Sequence, residues 1–170
     1  MAYTISREAC LTKKQFKIAW SMIIQPSEWS AWMPDVQMVL RENSEIVKEG
    51  EQIITYSAIR SKPTEQHWNV EFKDAKKQII FHLTNELRMD KPGSRGIKNM
   101  RHIWIWNPKK DGGILNLTIS WEFRSLLGKL FLSRYARSSF IGNAERILHH
   151  LVQAVSTTVL RPYQSLHEEE

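Results

Sequence analysis

The alternation of hydrophobic and polar residues is clearest in the last third of the chain, from Leu115 to Phe123, where every second residue is apolar. A period of two is typical of a β-strand that is buried on one side. From about Ile141 to Leu160 the apolar residues instead recur every three or four positions, which is the spacing of an amphipathic helix. The pattern therefore predicts a strand followed by a long helix that covers its apolar face.

Shorter runs of the same kind fill the rest of the chain. A first strand near Tyr3–Leu11 is followed by a helix after Thr12, a residue type that caps helices, and by a second short helix from Pro26. The remaining strands are joined by turns of a few residues, which predicts antiparallel pairing. The predicted fold class is α+β: a curved antiparallel sheet of about seven strands wrapped around a long C-terminal helix, with two short helices after the first strand.

One of these strands, Gln78–Leu87, alternates well enough to assign its two faces. One face carries Ile79, Phe81, Leu83 and Leu87. The other face then carries His82 and Thr84.

Composition and length are those of a globular protein, with 170 residues, 42% hydrophobic and 25% charged. We expect a single domain over residues 1–164 and an acidic tail over residues 165–170, which ends in three glutamates. The one cysteine, Cys10, excludes an internal disulfide and fits a reducing compartment. The N-terminus does not resemble a signal peptide and no run is apolar enough to span a bilayer, so the predicted location is the cytoplasm.

The net charge of +6 bears on the choice of partner. The basic residues are dispersed and no recognised binding motif is present, so no nucleic acid partner is expected. One segment, Lys129–Arg137, mixes basic residues with leucine, phenylalanine and tyrosine. Such a segment can make peripheral contact with an anionic membrane, or it can form a helix that packs its apolar side on the rim of the sheet. The sequence leaves both interpretations open.

Several stretches give the chain a resemblance to a known superfamily. They are Trp29–Val36, Glu45–Glu51, Leu117–Phe123, Leu126–Leu130 and Asn143–Leu151. In this order they resemble the helix-grip START/SRPBCC (Bet v 1-like) superfamily, and in particular its polyketide cyclase/dehydrase-like branch. The resemblance implies a cavity between the sheet and the long helix that holds a small hydrophobic or amphipathic molecule. Relatives in this superfamily include enzymes, carriers and partners of other proteins.

Tryptophans on the predicted strands are candidates for the cavity wall, because an indole ring is apolar and still offers one N–H donor. Same-parity residues on neighbouring strands share a face. We therefore expect five residues to be ligand-binding candidates, at least three of which line one cavity against the long helix: Trp68, His102, Trp104, Trp106 and Trp121. The opposing wall is expected from the closing helix, through Ile147, Leu148 and Leu151. The entrance is expected near the loop Lys91–Lys98 and the helical pair around Trp29 and Trp32. The alternative is that these rings are plain core.

The sequence contains no His-Glu-x-x-His motif, phosphate-binding glycine loop or nucleophile elbow. No metal and no cofactor are expected, and the absence of catalytic motifs favours binding of a lipid or polyketide-like ligand without catalysis. The first alternative is a cyclase- or dehydratase-type enzyme, in which polar groups in the cavity move protons. The candidate acid–base residues are His82, His102 and Glu122. The second alternative is a protein or membrane interaction module.

Overall fold

The computed structural model describes residues 2–41, 46–59, 62–73, 77–89, 91–93 and 96–164, with side chains as far as residue 158. The predicted acidic tail, 165–170, lies outside the described residues. The strands are β1 (Tyr3–Thr12), β2 (Val36–Leu40), β3 (Gln52–Ile59), β4 (Lys62–Lys73), β5 (Gln78–Arg88), β6 (Lys91–Pro92), β7 (Ile97–Lys109) and β8 (Gly112–Phe123). The helices are α1 (Lys13–Ile24), a 3₁₀ turn (Pro26–Glu28), α2 (Trp29–Trp32) and α3 (Leu126–Gln164).

The strands form one curved antiparallel sheet in the described part of the chain, in the order β1-β8-β7-β5-β4-β3-β2. The two-residue β6 pairs with β5 beside this path. Strands that are adjacent in sequence are mostly adjacent in the sheet, and α1 and α2 lie between β1 and the remainder. This arrangement confirms the predicted α+β class and the antiparallel meander.

Local sequence signals determine two features of the backbone. The Thr12 hydroxyl accepts a hydrogen bond from the Gln15 N–H at 3.3 Å, and the Gln15 side-chain oxygen accepts one from the Thr12 N–H at 3.0 Å. This reciprocal pair, a capping box, satisfies two backbone donors at the start of α1. Gly50, just before β3, has a φ of 75°, where a side chain is strained.

The closing helix is longer than the sequence predicts. It begins at Leu126, so the expected start at about Ile141 is wrong. Apolar and basic residues are mixed between residues 126 and 137, and they form no stripe that would indicate a helix packed on a core. From Ala144 onward the stripe is present, and Ala144, Leu151 and Val155 are fully buried. This second half of α3 lies closest to β1, β8 and α1.

None of the helices in the described ranges has both the length and the apolar character needed to cross a bilayer.

Candidate ligand-binding cavity

A cavity of about 910 Å³ lies where α3 does not cover the sheet. Its walls are the inner faces of β3, β4, β5 and β7, the corner between α2 and β2, and part of α3 between residues 132 and 147. Because α3 packs most closely on β1 and β8, the inner face farther along the sheet stays uncovered. The volume is in the range of pockets that hold small molecules.

One wall of the cavity is apolar and aromatic. It includes Trp29, Phe81, Trp104, Phe140 and Ile147. The Trp29 ring packs edge-on against Phe81, with ring centres 4.8 Å apart, and its indole N–H donates to the Ile23 carbonyl at 3.1 Å. Because this N–H is already paired, Trp29 presents only apolar surface to the cavity.

Another part of the wall is polar, and an irregularity in β5 creates it. Trp68 of β4 pairs with Leu83, but the preceding residue, His67, pairs with Asn85, so Thr84 is an extra residue in β5. An inserted residue reverses the facing of every residue beyond it. Glu86 and Arg88 therefore face the cavity, and Leu87 faces away. The prediction that Leu87 shares a face with Phe81 is wrong for this reason.

Glu86 is the centre of a polar cluster on this wall, the Glu86 cluster, which consists of Gln66, Glu86 and Arg88. The Gln66 amide donates to Glu86 Oε2 at 2.9 Å, and Arg88 Nε donates to Glu86 Oε1 at 3.0 Å. The side chain of Glu86 is 4% exposed and that of Arg88 is 39% exposed. The buried carboxylate therefore has two donors, as its burial requires.

The Glu86 side chain occupies the space where a side chain at position 93 would lie. The Gly93 N–H donates to the Glu86 carbonyl at 2.8 Å. A Cβ at position 93 would lie 2.4 Å from Glu86 Oε1 and 2.8 Å from its Cγ, closer than van der Waals contact permits. The absence of a side chain at Gly93 is therefore part of the site.

His102 lies on β7 and lines the cavity beside Trp68, with ring centres 4.9 Å apart. The Trp68 indole N–H donates to Thr55 Oγ1 at 3.1 Å. Burial lowers the pKa of His102 to about 4, so the ring is neutral at physiological pH. Its Nε2 is buried and has no hydrogen-bond partner among the described residues. A neutral imidazole nitrogen can donate to a carbonyl or accept from a hydroxyl, depending on the tautomer.

A partly exposed ion pair lies at the edge of the cavity. Arg146 of α3 donates through Nη2 to Asp35 Oδ2 at 2.5 Å. Asp35, between α2 and β2, has a φ of 67°, and its carbonyl accepts a hydrogen bond from the Ala58 N–H at 3.0 Å. The pair joins the closing helix to the opposite rim, and both of its residues line the cavity.

Solved structures of the same architecture are numerous. A START superfamily protein from Mycobacterium smegmatis aligns with a TM-score of 0.65 and 13% identity, over 91% of this chain and 98% of its own. The Zhui aromatase/cyclase from a Streptomyces species aligns with a TM-score of 0.68 and 10% identity, over 94% and 96%. Ginseng major latex-like protein 151, from Panax ginseng, gives 0.67 and 9%, over 91% and 97%. The chain has the helix-grip fold.

The expected helix-grip architecture is thus confirmed by structural likeness. At these identities the likeness concerns the fold alone. No protein-family model and no curated protein matches the sequence.

Some of the predicted ligand-binding residues lie at the helix-grip cavity and others do not. Those that line it are Trp68, His102, Trp104 and Ile147. That they contact a ligand stays a prediction. Trp106, Trp121, Leu148 and Leu151 are buried but are not among the lining residues.

Ring packing explains why Trp106 and Trp121 do not line the cavity. Trp106 stacks on Phe16 of α1, with ring centres 3.8 Å apart and planes 9° from parallel. Trp121 lies against Tyr3 at 5.9 Å and Phe140 at 4.6 Å. Both rings lie where helices cover the sheet directly, and Leu148 and Leu151 lie in the second half of α3, which provides that cover. These four residues therefore form core rather than cavity wall.

Two of the predicted acid–base residues lie outside the cavity. Glu122 accepts a hydrogen bond from Asn99 Nδ2 at 3.2 Å and lies 3.7 Å from the Lys98 ammonium. His82 follows Phe81 in β5 and so faces the other side of the sheet. Neither lines the cavity, which leaves His102 as the one predicted acid–base residue there. No cluster of three or more metal-binding side chains occurs among the described residues.

The polar wall is the part of the site that sequence reasoning missed. Gln66 has the same parity as Trp68 in β4, and its register partner in β3 is Thr55, so alternation could have found both. Glu86 and Arg88 gave no such signal, because the extra residue at Thr84 reverses their facing. The position of the entrance stays a prediction; Gly93, Gly96 and Ile97 of the predicted loop line the cavity.

Proposed function

We propose that this protein binds a small amphipathic molecule in the cavity between its sheet and α3. The observation that carries the proposal is the contrast between the two walls. The aromatic wall suits an apolar body, and the polar wall offers the Glu86 cluster and the open Nε2 of His102. A purely apolar ligand would leave His102 Nε2 desolvated without a partner, at a cost in affinity. The ligand we propose therefore carries at least one hydroxyl or carbonyl group beside a hydrophobic skeleton.

A fluorescent apolar dye tests the position of the site. Trp104→Ala removes a ring from the cavity wall, and Trp106→Ala removes the same side chain from the core beneath Phe16. We expect the first variant to weaken dye binding by roughly tenfold, since it loses apolar contact with the ligand. The second should bind as the parent does. Equal affinities of the two variants would contradict the proposed site.

A variant that fills the cavity tests the same site without the removal of a buried tryptophan ring. Ser139 lies on α3, is exposed, and lines the cavity. Ser139→Trp should keep the fold, as judged by circular dichroism, and should reduce dye binding. Undiminished binding by a folded Ser139→Trp variant would show that the dye binds elsewhere.

His102 also supports a second candidate function, a cyclase- or dehydratase-type reaction on a polyketide-like substrate. A neutral histidine with a free ring nitrogen inside a cavity can move a proton between positions on a folded substrate. One of the structural neighbours is named an aromatase/cyclase. Cyclisation of a linear poly-β-ketone thioester by the parent protein but not by His102→Gln would support this function. Equal product from both proteins would exclude His102 as the catalytic group.

A further inference from the structure

The first part of α3, residues 126–138, carries an unusual amount of exposed apolar surface, and we call it the overhanging segment. Four of its large hydrophobic side chains are mostly exposed: Leu126 (79%), Leu127 (66%), Leu130 (74%) and Phe131 (80%). This result excludes the interpretation in which the segment packs these side chains on the rim of the sheet. A patch of this kind on a protein surface usually marks an interaction site.

The overhanging segment has two distinct sides. At 100° per residue, its four exposed hydrophobic residues fall within an arc of about 140°. The residues of the same helix that line the cavity point away from this arc: Leu132, Tyr135, Ala136 and Ser139. The exposed apolar side therefore cannot be part of the ligand-binding wall, and it sits directly behind that wall.

The basic residues of the overhanging segment indicate which kind of surface binds its exposed apolar side. Arg134 and Arg137 fall within the same arc as the exposed leucines, and Lys129 lies beside it. There is no aspartate or glutamate from residue 123 to residue 144. A helix that interleaves large apolar side chains with cations on one side is suited to the boundary between lipid headgroups and acyl chains. The arginine stems can lie along the acyl region while the guanidinium groups reach the phosphates.

We propose that the overhanging segment docks on an anionic lipid bilayer, with Leu126, Leu127, Leu130 and Phe131 inserted among the lipids. A second copy of the chain fits this surface less well. In a two-fold symmetric pair the same face meets itself, which would bring the arginines of both copies together without an acidic residue of the segment between them. Docking does not depend on the proposed ligand, and it leaves the cavity-lining side of α3 facing away from the membrane.

Vesicle co-sedimentation of the full chain tests the proposal. The vesicles are phosphatidylcholine alone, or phosphatidylcholine mixed with phosphatidylglycerol, each at low and high salt. We expect binding to the mixed vesicles only, and weaker binding at high salt, since salt screens the charge attraction. Failure to bind mixed vesicles at low salt overturns the proposal.

Paired variants separate the apolar and basic contributions. Leu130→Gln with Phe131→Gln should lower the partition coefficient by roughly tenfold or more, through loss of inserted apolar area. Met38→Gln with Leu40→Gln, which alters two exposed hydrophobic residues of β2, is the control and should change little.

Arg134→Gln with Arg137→Gln should lower partitioning by roughly 25-fold, about fivefold for each cation. Its control, Lys13→Gln with Lys14→Gln, removes the same charge from exposed positions of α1.

The outcomes distinguish a bilayer from other occupants of this surface. If a segment variant binds mixed vesicles as well as its control does, the proposal is wrong. If the parent protein is a dimer that Leu130→Gln with Phe131→Gln converts to a monomer, the surface is a contact between copies, and the proposal is again wrong. All variants change exposed residues, so each is expected to fold, which circular dichroism checks.

Discussion

At the scale of single residues, His102 is the most informative group in the cavity. It lines the cavity, is almost fully buried, and has a ring nitrogen without a partner in the described part of the chain. Its environment favours the neutral ring, because burial removes the hydration that the charged form needs. The residue is thus suited to hydrogen bonding with a neutral polar group on a ligand, in either direction.

Burial of His102 makes the stability of the protein depend on pH. Burial lowers its pKa from 6.5 to about 4. Between these values the unfolded chain binds a proton at this position that the folded protein does not, so the free energy of unfolding falls as the pH drops. The loss is on the order of 3 kcal/mol by the lower end of this range.

Urea unfolding of the parent protein and of His102→Gln at about pH 7 and about pH 4.5 measures this effect. The parent should lose more stability than the variant across this range. All other groups are present in both proteins and cancel in the comparison. A parallel loss in both proteins would mean that His102 is protonated in the folded state.

At the scale of elements, β5 decides the chemistry of the cavity. Its extra residue, Thr84, is held by a hydrogen bond from its hydroxyl to the His67 carbonyl at 3.0 Å. Before this point β5 contributes apolar side chains such as Phe81 to the inner face, and after it Glu86 and Arg88. A single irregular position thus divides one strand into an apolar half and a polar half.

Two glycines that line the cavity should respond oppositely to alanine. Gly93→Ala places a Cβ against the Glu86 carboxylate and should destabilise the protein by about 2 kcal/mol, through disturbance of a buried hydrogen-bonded group. Gly142 lies in α3, and a Cβ there meets nothing within 4 Å. Gly142→Ala should therefore stabilise the protein by about 0.5–1 kcal/mol, from helix propensity. Thermal or urea unfolding measures both, and a stabilising Gly93→Ala would contradict the placement of Glu86.

At the scale of the whole molecule, α3 has two structural roles. It closes the core over β1 and β8, and its residues between 132 and 147 also form one side of the cavity. The Asp35–Arg146 ion pair is a link between the cavity-forming part of α3 and the opposite rim. Because both side chains are partly exposed, the pair should contribute little to global stability and more to the opening of the mouth.

Breaking this link should change kinetics more than stability. Arg146→Gln should raise the rate of dye dissociation several-fold and should change the free energy of unfolding by less than about 1 kcal/mol. Glu145→Gln is a matched control, since it breaks the exposed Arg7–Glu145 pair, 2.8 Å long, one residue away and outside the cavity lining. Stopped-flow fluorescence measures dissociation. Equal rates in the two variants would show that the Asp35–Arg146 pair does not control access.

The sequence by itself determined the architecture. Alternation from Leu115 to Phe123 and helical spacing after Ile141 are local patterns, and each states which side of an element is buried. Strands joined by short turns leave few ways to pair, so the antiparallel sheet and its covering helix followed. The parity of Trp68, His102 and Trp104 was sufficient to place them on the inner face.

The tertiary structure alone decided which part of that inner face became a cavity. Trp104 and Trp106 have the same parity, but only Trp106 lies under Phe16 of α1, so only Trp104 meets the cavity. Glu86 faces inward because β4 and β5 pair with one extra residue, which no periodicity within β5 indicates. Both outcomes depend on contacts between segments distant in sequence. The pattern along one segment determines which of its residues share a face. The neighbouring segments determine the pairing register and which part of that face is covered.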